Sequence, residues 1–517
     1  MKDPIHLPKL LGLDVEFSNT LEGHHPAERC SAAAWKLLAE IRGLPRDEHR
    51  SLHDPRPGHG WQGWPTERDL GRRFLSANGA CFYIDSGHLE AATSETLNAR
   101  ENLATWHGAI RIVRDAQARA NAKLPAGQHL RVAVANSDGF SKSFGSHTNT
   151  LLTSAALNRI FRHRPTTEWL AAFQVSSVIL TGAGKVGSEN GQPPCTFQLS
   201  QRADFFERLI DEETMYRRPI INTRDEPLCG RRDNGHRRCH CILHDANLCH
   251  AAHFLKVGTM QIALTMIEAG AIDDRVCLAD PVGALIGFSH DPTLNARAAL
   301  ATGGSASALD LQLRFCEAAA SFVERGRCEG LVPEAKAIVA LWQDTLAKLE
   351  RRDFCALARR LDWVLKLNLI ESALAASPRL NWQSPEVRLL DQNYGDLESG
   401  MFWQCLDAGL VERLVSDAEI EHTTVAAPEG TRAWTRARLL ALAPAEAVIH
   451  VDWDSITVRL PDGKQRIVWL ENPLGFTRTD SPIREARTFD EALAALEKHT
   501  TPAPIYTAYF HHQTTTL

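Results

Sequence analysis

The chain has 517 residues, of which 44% are hydrophobic and 23% charged, and its formal net charge is −6. This length allows a large core and at least two folded units, and the acidic balance disfavours nucleic acid as a partner. The sequence shows neither a signal-like N-terminus nor an apolar run long enough to span a bilayer. Twelve cysteines without a repeating framework are typical of reduced thiols. We therefore expect a cytoplasmic protein with no membrane or nucleic-acid partner.

The first informative stretch covers residues 11–18, where apolar side chains alternate with polar ones. This alternation predicts a half-buried strand with Asp14 and Glu16 on its polar face. Two like charges about 7 Å apart repel each other unless a cation lies near them. Mg²⁺, which prefers oxygen ligands, would relieve the repulsion. A solvent-facing acidic strand is the alternative interpretation of this pair.

Residues 43–67 are rich in Pro, Gly, His and Arg and contain Trp61 and Trp64. The composition predicts a long loop with little regular structure, and such loops in compact domains are usually functional or disordered. The two tryptophans favour partial docking of this loop onto the protein.

Residues 81–90 predict a strand that ends in a turn. Tyr83 and Asp85 share one face of the strand, Gly87 permits the turn, and His88 and Glu90 follow it. Two carboxylates and an imidazole therefore converge where a strand enters a loop, a frequent place for chemistry. An aspartate that only caps the turn is the alternative.

Further polar residues lie on predicted strands in the middle of the chain. His147 lies on the strand 146–152, and Arg224 ends the strand that begins near residue 217. The apolar run 178–181 predicts a strand before the turn Gly182–Lys185, which lacks the spacing of a phosphate-binding loop. Cysteines and histidines between residues 229 and 250 suggest zinc, but the paired-cysteine spacing of structural zinc sites is missing.

The C-terminal part of the chain predicts helices and then a hairpin. The helices are expected at 309–323, 333–351 and 354–376, and the arms of the hairpin at 448–460 and 465–470. We interpret residues 430–517 as a small C-terminal domain that ends in a flexible tail beyond residue 502.

Taken together, the motifs resemble those of the family of Pup ligases and Pup deamidases or depupylases, relatives of glutamine synthetase. The family's glycine-acid-x-acid strand matches Gly12–Glu16. Its Tyr-x-Asp strand and the following His-x-Glu match Tyr83–Asp85 and His88–Glu90. Further matches occur in the family's order at 182–185, 198–204, 222–227, 245–247, 256–259, 361–364 and 453–455.

The resemblance implies an α+β fold with a curved, mainly antiparallel, glutamine-synthetase-like sheet packed against helices. Residues 1–429 would form the catalytic domain, with 43–67 as a depupylase-type insertion. Residues 430–517 would form the small C-terminal domain.

The resemblance also assigns roles to individual residues, with Asp85 as the catalytic aspartate. The side chains that the resemblance places in the metal site or along the same cleft are Asp14, Glu16, Tyr83, Glu90, His147 and His240. Those that it implies for nucleotide binding are Thr93, Arg224 and Trp453. The implied cofactors are Mg²⁺ and ATP, or ADP with phosphate, because carboxylate-held Mg²⁺ bridges phosphate oxygens that arginine clamps.

The insertion at 43–67 and the short spacing from Asp85 to Glu90 resemble the depupylase branch. The implied reaction cleaves a side-chain amide at the C-terminal Gln or Glu of a small, acidic, disordered Pup-like modifier, either free or in its conjugates. The alternatives are an ATP-dependent ligase that forms isopeptide bonds and a non-catalytic nucleotide-dependent protein that binds the modifier.

The sequence departs from the family pattern at several positions. Asp14 and Thr148 stand where Glu is usual, Cys81 replaces an expected Arg, Leu89 replaces Pro and Leu228 replaces His. These changes are also consistent with a divergent member that acts on a different modifier, or on none.

Overall fold

The structure is a computed structural model that describes residues 6–25, 28–43, 70–224, 226, 228–229 and 235–503. The predicted insertion at 43–67, apart from residue 43, and the predicted tail from residue 504 lie outside the described residues. The strands are β1 (Leu11–Glu16), β2 (Ser18–Glu22), β3 (Leu70–Phe74), β4 (Cys81–Asp85), β5 (His88–Ala92), β6 (His129–Ala133), β7 (Ser146–Thr153), β8 (Lys185–Val186), β9 (Phe197–Gln198), β10 (Phe206–Asp211), β11 (Arg218–Asn222), β12 (His236–Cys241), β13 (Arg297–Ala299), β14 (Ser305–Ser307), β15 (Val448–Val451), β16 (Ser455–Arg459), β17 (Gln465–Trp469) and β18 (Thr500–Pro502).

Sixteen α-helices within the described residues lie between these strands along the chain. They are α1 (Arg29–Glu40), α2 (Ala99–Asn121), α3 (Ser154–Arg162), α4 (Arg164–Ser176), α5 (Val178–Thr181), α6 (His250–Glu268), α7 (Pro281–Ser289), α8 (Ala308–Glu324), α9 (Ala335–Glu350), α10 (Phe354–Leu357), α11 (Asp362–Ala376), α12 (Pro385–Asn393), α13 (Met401–Asp407), α14 (Asp417–Val425), α15 (Ala433–Leu442) and α16 (Phe489–Ala495). Within the described ranges, no helix combines the length and the apolar character needed to cross a membrane.

The largest sheet has the strand order β12-β7-β1-β5-β4-β3, and all of its pairings are antiparallel. Together with the surrounding helices, this sheet confirms the predicted α+β fold with a mainly antiparallel sheet. β1 lies in the middle of the sheet, so its side chains have neighbours from both β5 and β7.

The two faces of the sheet have different surroundings because side chains alternate along each strand. Leu13, Val15, Phe82 and Ile84 point into the main hydrophobic core. Helix α2 lies in this core, and its Trp106 indole donates to the carbonyl of Asn247 at 2.8 Å. The polar residues of the same strands are therefore turned to the opposite face, away from the helices.

Residues from about 430 onward add a second sheet, with the order β15-β16-β17-β18. Val451, Ile456 and Val468 are the centre of its core, which reaches Cys81 and Tyr83 on the large sheet. The predicted hairpin is confirmed as β16 and β17, but the predicted arm 448–460 consists of two strands, β15 and β16. The turn between them carries Trp453. The boundary at residue 430 stays a prediction.

Several predicted elements are confirmed and two are wrong. Helices α8 and α9 occupy the expected positions, whereas the helix expected at 354–376 is divided into α10 and α11. Residues 178–181 form a helical turn and not a strand, and Lys185 bonds Glu189 at 2.7 Å and Asp204 at 3.3 Å. Because its ammonium group is satisfied by buried acids, Lys185 gives no support to a phosphate-binding loop.

Candidate active site

The site is built on the hairpin of β4 and β5. Ser86 and Gly87 form its two-residue turn with φ angles of 51° and 87°. Positive φ at both positions is typical of the type I′ turn, which matches the twist of a tight hairpin. The resulting register pairs Tyr83 with Glu90 and Asp85 with His88. The Tyr83 hydroxyl donates to Oε1 of Glu90 at 2.7 Å.

Strand β1 brings a third carboxylate to this hairpin. Its pairing with β5 places Glu16 opposite Glu90. As a result, one carboxylate oxygen from each of Glu16, Asp85 and Glu90 lies within 4.8 Å of the other two. The backbone amide of Gly145 donates to Oε1 of Glu16 at 2.9 Å, which fixes one side of the cluster.

The electrostatics of this cluster favour a bound cation. Burial, together with the charges of Asp85, Glu16 and Asp14, raises the pKa of Glu90 well above its ordinary value, and the Tyr83 hydrogen bond only partly opposes this. A hard divalent ion with oxygen ligands, such as Mg²⁺, would relieve the repulsion, so these residues fit the implied metal. No three cysteine and histidine side chains of the described ranges form a comparable cluster, which leaves the zinc hypothesis without support.

The next rung of the sheet carries the other predicted metal residues. Asp14 lies opposite His147 and accepts a hydrogen bond from Asn149 at 2.9 Å. The rings of His147 and His240 are 4.9 Å apart. Burial and nearby guanidinium groups lower the pKa of both imidazoles well below the ordinary value, so both are neutral at pH 7. Neither ring nitrogen of His240 has a hydrogen-bond partner among the described residues.

Arginines line the cavity of about 590 Å³ that opens above these carboxylates. Arg224 was expected there. Sequence reasoning gave no role to the others, which are Arg72, Arg202, Arg217, Arg218 and Arg238. Two signals could have identified them: Arg202 lies inside the family-like motif 198–204, and Arg238 shares a strand face with His240, two residues away.

Cys81, the position where the family resemblance led us to expect an arginine, is fully buried against the C-terminal sheet. A cation lines the cavity on the neighbouring strand instead. The guanidinium of Arg72, on the neighbouring strand β3, lies 5.3 Å from the centre of the Tyr83 ring and 3.5 Å from Asp452.

Trp453 also forms part of the cavity wall. Its ring contacts Phe74 at 5.3 Å and the Arg436 guanidinium at 4.8 Å. It also borders an adjoining pocket of about 80 Å³, together with Asp14 and Thr93. The Thr93 hydroxyl accepts the amide proton of Leu13 at 3.1 Å.

The predicted site residues therefore come together in one region. Thr93 lines the small pocket, and those that line the large cavity are Asp14, Glu16, Tyr83, Asp85, Glu90, His147, Arg224, His240 and Trp453. Their individual roles stay predictions.

Thr148, which replaces a usual glutamate, is buried on the other face of β7. It pairs with Leu13, whereas its neighbour His147 pairs with Asp14. Because neighbouring residues of a strand point to opposite faces, Thr148 is directed into the core side of the sheet. This replacement therefore takes no carboxylate away from the cleft.

The antiparallel sheet, with helices on one face and a carboxylate-lined cleft on the other, agrees with the glutamine-synthetase-like fold that the family resemblance implies. Residues 9–457 match the family model described as Pup-ligase protein. The chain belongs to this family.

Relatives of two kinds match most of the chain. It is 36% identical over 439 residues to the depupylase of Acidothermus cellulolyticus, a match that covers 83% of this chain and 85% of the relative. It is also 36% identical over 410 residues to the Pup–protein ligase of Micrococcus luteus, with 77% and 85% covered. Sequence identity therefore does not select one of the two activities.

Two solved structures share the fold. The complex of Pup with its ligase PafA matches with a TM-score of 0.77 and 24% identity, and the match covers 95% of this chain and 92% of that one. PafA in complex with ADP matches with a TM-score of 0.70 and 26% identity, and 83% and 90% are covered.

Proposed function

We propose that this protein is a nucleotide- and Mg²⁺-dependent amidohydrolase that acts on a Pup-like modifier. The substrate bond is the side-chain amide of a C-terminal Gln, or the isopeptide that joins the modifier to a lysine. The observation that carries this proposal is the position of Asp85. Its carboxylate lies within 4.8 Å of those of Glu16 and Glu90, in a cavity lined by arginines.

In the proposed reaction, Asp85 either attacks the amide carbon directly or activates the water that does so. If it attacks directly, an Asp85 oxygen bonds to the carbonyl carbon, the C–N bond breaks, and the leaving ammonia or lysine amine takes up a proton. Water then hydrolyses the acyl intermediate and restores the carboxylate. The Ser86 hydroxyl donates to Oδ1 of Asp85 at 2.9 Å and orients the carboxylate.

The other charged groups have supporting roles in this proposal. Glu16, Glu90 and Tyr83 would hold Mg²⁺, with Asp14, His147 and His240 beside it. Thr93, Arg224 and Trp453 would bind ATP, or ADP with phosphate. When bound, the Mg²⁺ ion supplies positive charge that stabilises a developing oxyanion and screens the charge of the nucleotide phosphates. The arginine wall suits an anionic nucleotide and an acidic partner.

Two sequence features favour hydrolysis over ligation. The spacing from Asp85 to Glu90, which the two-residue turn accommodates, resembles that of depupylases, and so does the insertion at 43–67. A ligase would instead direct a lysine amine onto an acyl phosphate formed from ATP. Since one relative with the same identity is a ligase, ligation is the second candidate.

The proposed partner is a small, acidic, disordered Pup-like modifier together with its conjugates. A solved structure with the same fold contains Pup, and another contains ADP. We propose that this chain binds ligands of the same two kinds.

One assay distinguishes the candidates. The wild type, Asp85→Asn and the control Asp407→Asn are incubated with Mg²⁺, ATP and either a Gln-ended modifier or a modifier conjugate. Asp407 is an exposed carboxylate at the end of α13. Mass change and ADP release are followed together.

A mass change without proportional ADP, lost in Asp85→Asn and kept in Asp407→Asn, supports the hydrolase. Conjugate formation with stoichiometric ADP supports the ligase. If all three proteins are inert but bind nucleotide and modifier, the hydrolase proposal is wrong and a binding protein is indicated.

A further inference from the structure

Two arginines stand side by side in the wall of the large cavity. Arg202 precedes a short 3₁₀ turn and is only 1% exposed, and Arg218 begins strand β11. Both donate to Ser143, Arg202 to its hydroxyl at 3.2 Å and Arg218 to its carbonyl at 3.1 Å. The shared partner holds the two guanidinium groups next to each other.

Neither arginine forms an ion pair within 4.0 Å among the described residues. Arg202 donates to the Ile242 carbonyl at 3.0 Å, and its Nε is buried without a hydrogen-bond partner there. Phe206 and Phe205 lie beneath the two guanidinium groups, 5.7 Å from Arg202 and 5.9 Å from Arg218. The faces are thus covered by rings, and N–H groups remain for a ligand.

The charge balance of this pair is unusual for buried arginines. Burial and the charge of Arg218 lower the pKa of Arg202 to about 9, although Asp245 and Glu16 act in the opposite direction. By contrast, the buried Arg432 and Arg436 share the carboxylate of Glu95. Because buried charges are costly without a partner, an anion that arrives with a ligand would complete the Arg202–Arg218 pair.

We infer that Arg202 and Arg218 bind the α-carboxylate of the modifier's C-terminal residue, while the side-chain amide of that residue lies at Asp85. The inference rests on the proposed function. Guanidinium groups bind carboxylates in a bidentate manner, and a C-terminal Gln presents its amide and its α-carboxylate on one residue. The pair thereby distinguishes a C-terminal Gln from an internal one.

The pair lies in the same cavity as Asp85. Of the predicted nucleotide residues, Thr93 borders only the small adjoining pocket, Trp453 borders both cavities, and Arg224 borders only the large one. Arg202 and Arg218 line the large cavity and do not border that pocket. Asp85 also lines the large cavity, so the pair and the proposed catalytic aspartate face one space for a ligand.

The test compares two fluorescent peptides with the sequence of the modifier's C-terminus, one ending in Gln with a free α-carboxylate and one ending in its α-carboxamide. Binding to the full-length Asp85→Asn protein with ATP and Mg²⁺ is measured by fluorescence anisotropy. We expect the carboxamide to bind roughly 10- to 100-fold more weakly, the loss typical of a charge-assisted hydrogen bond.

Protein variants in the same background locate the effect. Arg218→Gln should weaken binding of the free acid and reduce the difference between the two peptides at least about threefold, because the carboxylate has then lost one of its two guanidinium partners. Arg202→Lys keeps a cation in the buried position but loses the bidentate geometry. It should also reduce the difference in affinity between the two peptides. The control Arg208→Gln changes a half-exposed arginine on β10 that pairs with Asp211 and should keep the full difference.

Three results would overturn the inference: equal affinity of the two peptides for the parent protein, no binding of either peptide, or a full difference that persists in Arg218→Gln while ATP affinity falls. The last result would assign the pair to a phosphate. If the peptides bind with the expected difference but the wild type turns over no substrate, the proposed function fails and the carboxylate site stands.

Discussion

The Tyr83 hydroxyl and Oε1 of Glu90 face each other across the hairpin at 2.7 Å, and this bond opposes the forces that would protonate Glu90. Tyr83→Phe removes the donor, so Glu90 becomes a poorer metal ligand. We expect the Mg²⁺ concentration for half-maximal activity to rise about tenfold or more, since hydrogen bonds to charged groups contribute about 1.5–3 kcal/mol.

A matched control for Tyr83→Phe is Tyr394→Phe. Tyr394 is also buried and donates to a carboxylate, Asp362, at 3.0 Å, but it does not line the cavity. Its variant should lose stability without a change in Mg²⁺ dependence. Identical Mg²⁺ titrations for wild type and Tyr83→Phe would show that this bond has no part in metal binding.

The carboxylate cluster predicts how the stability of the metal-free protein depends on pH. Burial and neighbouring charges raise the pKa of Glu90, so the folded state holds its proton more tightly than the unfolded state does. The contribution of protonated Glu90 to the stability of the folded state is complete below pH about 4.5. It is lost as the pH rises through the folded-state pKa of Glu90. In EDTA at pH 8, Glu90→Gln should therefore be more stable than the wild type, by about 1 kcal/mol or more.

Urea denaturation at pH 5 and pH 8 measures this difference. Added Mg²⁺ should reverse the order at pH 8, because only the wild type retains the full ligand set. A wild type that exceeds Glu90→Gln in EDTA at pH 8 would contradict the repulsion argument.

Gly145 is predicted to tolerate no side chain. A Cβ there would lie 2.6 Å from Oε1 of Glu16 and 2.9 Å from Nε2 of His147. Gly145→Ala should displace both side chains, cost about 1–3 kcal/mol of stability and lower activity at least roughly tenfold. The control Gly287→Ala, in α7 with open space around it, should be stabilised by about 0.5–1 kcal/mol. Full activity in Gly145→Ala would contradict the assigned geometry.

Substitution of Glu95, which lies outside the metal cluster, is expected to have a large effect on stability. Burial alone would raise its pKa, but the charges and hydrogen bonds of Arg436 and Arg432 lower it to about 2. The contribution of this carboxylate is therefore present above pH about 4.5 and is lost as the pH falls towards 2. Glu95→Gln leaves two buried guanidinium groups uncompensated and should cost about 3–5 kcal/mol at pH 7.

Chemical denaturation at pH 7 and pH 3 tests this, and the gap between wild type and variant should be smaller at pH 3. The control Glu485→Gln removes a 90% exposed carboxylate paired with Arg484 and should change stability by less than about 0.5 kcal/mol. Equal effects of the two substitutions would contradict a special role for Glu95.

Local patterns were sufficient to predict the parts of the site that lie on single strands. The alternation in β1 placed Asp14 and Glu16 on one face, and Gly87 predicted a turn after Asp85, which the structure shows as the turn of the β4–β5 hairpin. The family resemblance then supplied the α+β fold and the order of the motifs. The strand faces and the turn are encoded within a few neighbouring residues.

The features that were missed depend on contacts between distant segments. Val178–Thr181 has the composition of a strand, but the tertiary environment holds it in a helical turn. Arg72 could not be connected with Tyr83, nor Arg202 with Arg218, because the members of each pair meet only in the folded protein. Cys81 looked like a lost cation in the sequence, whereas the structure gives it a packing position and supplies a cation from β3.

The wall formed by Trp453 has a consequence for how the protein is made. Trp453 packs on Phe74 and Arg436, so the cleft joins segments that are almost 380 residues apart. Contacts between such distant segments form slowly, because a long loop must close first. During synthesis, the hairpin that carries Asp85 leaves the ribosome long before this wall exists. A nascent chain therefore displays its carboxylates without the Trp453 wall, and only a chain that already includes residue 453 can gain the full cleft.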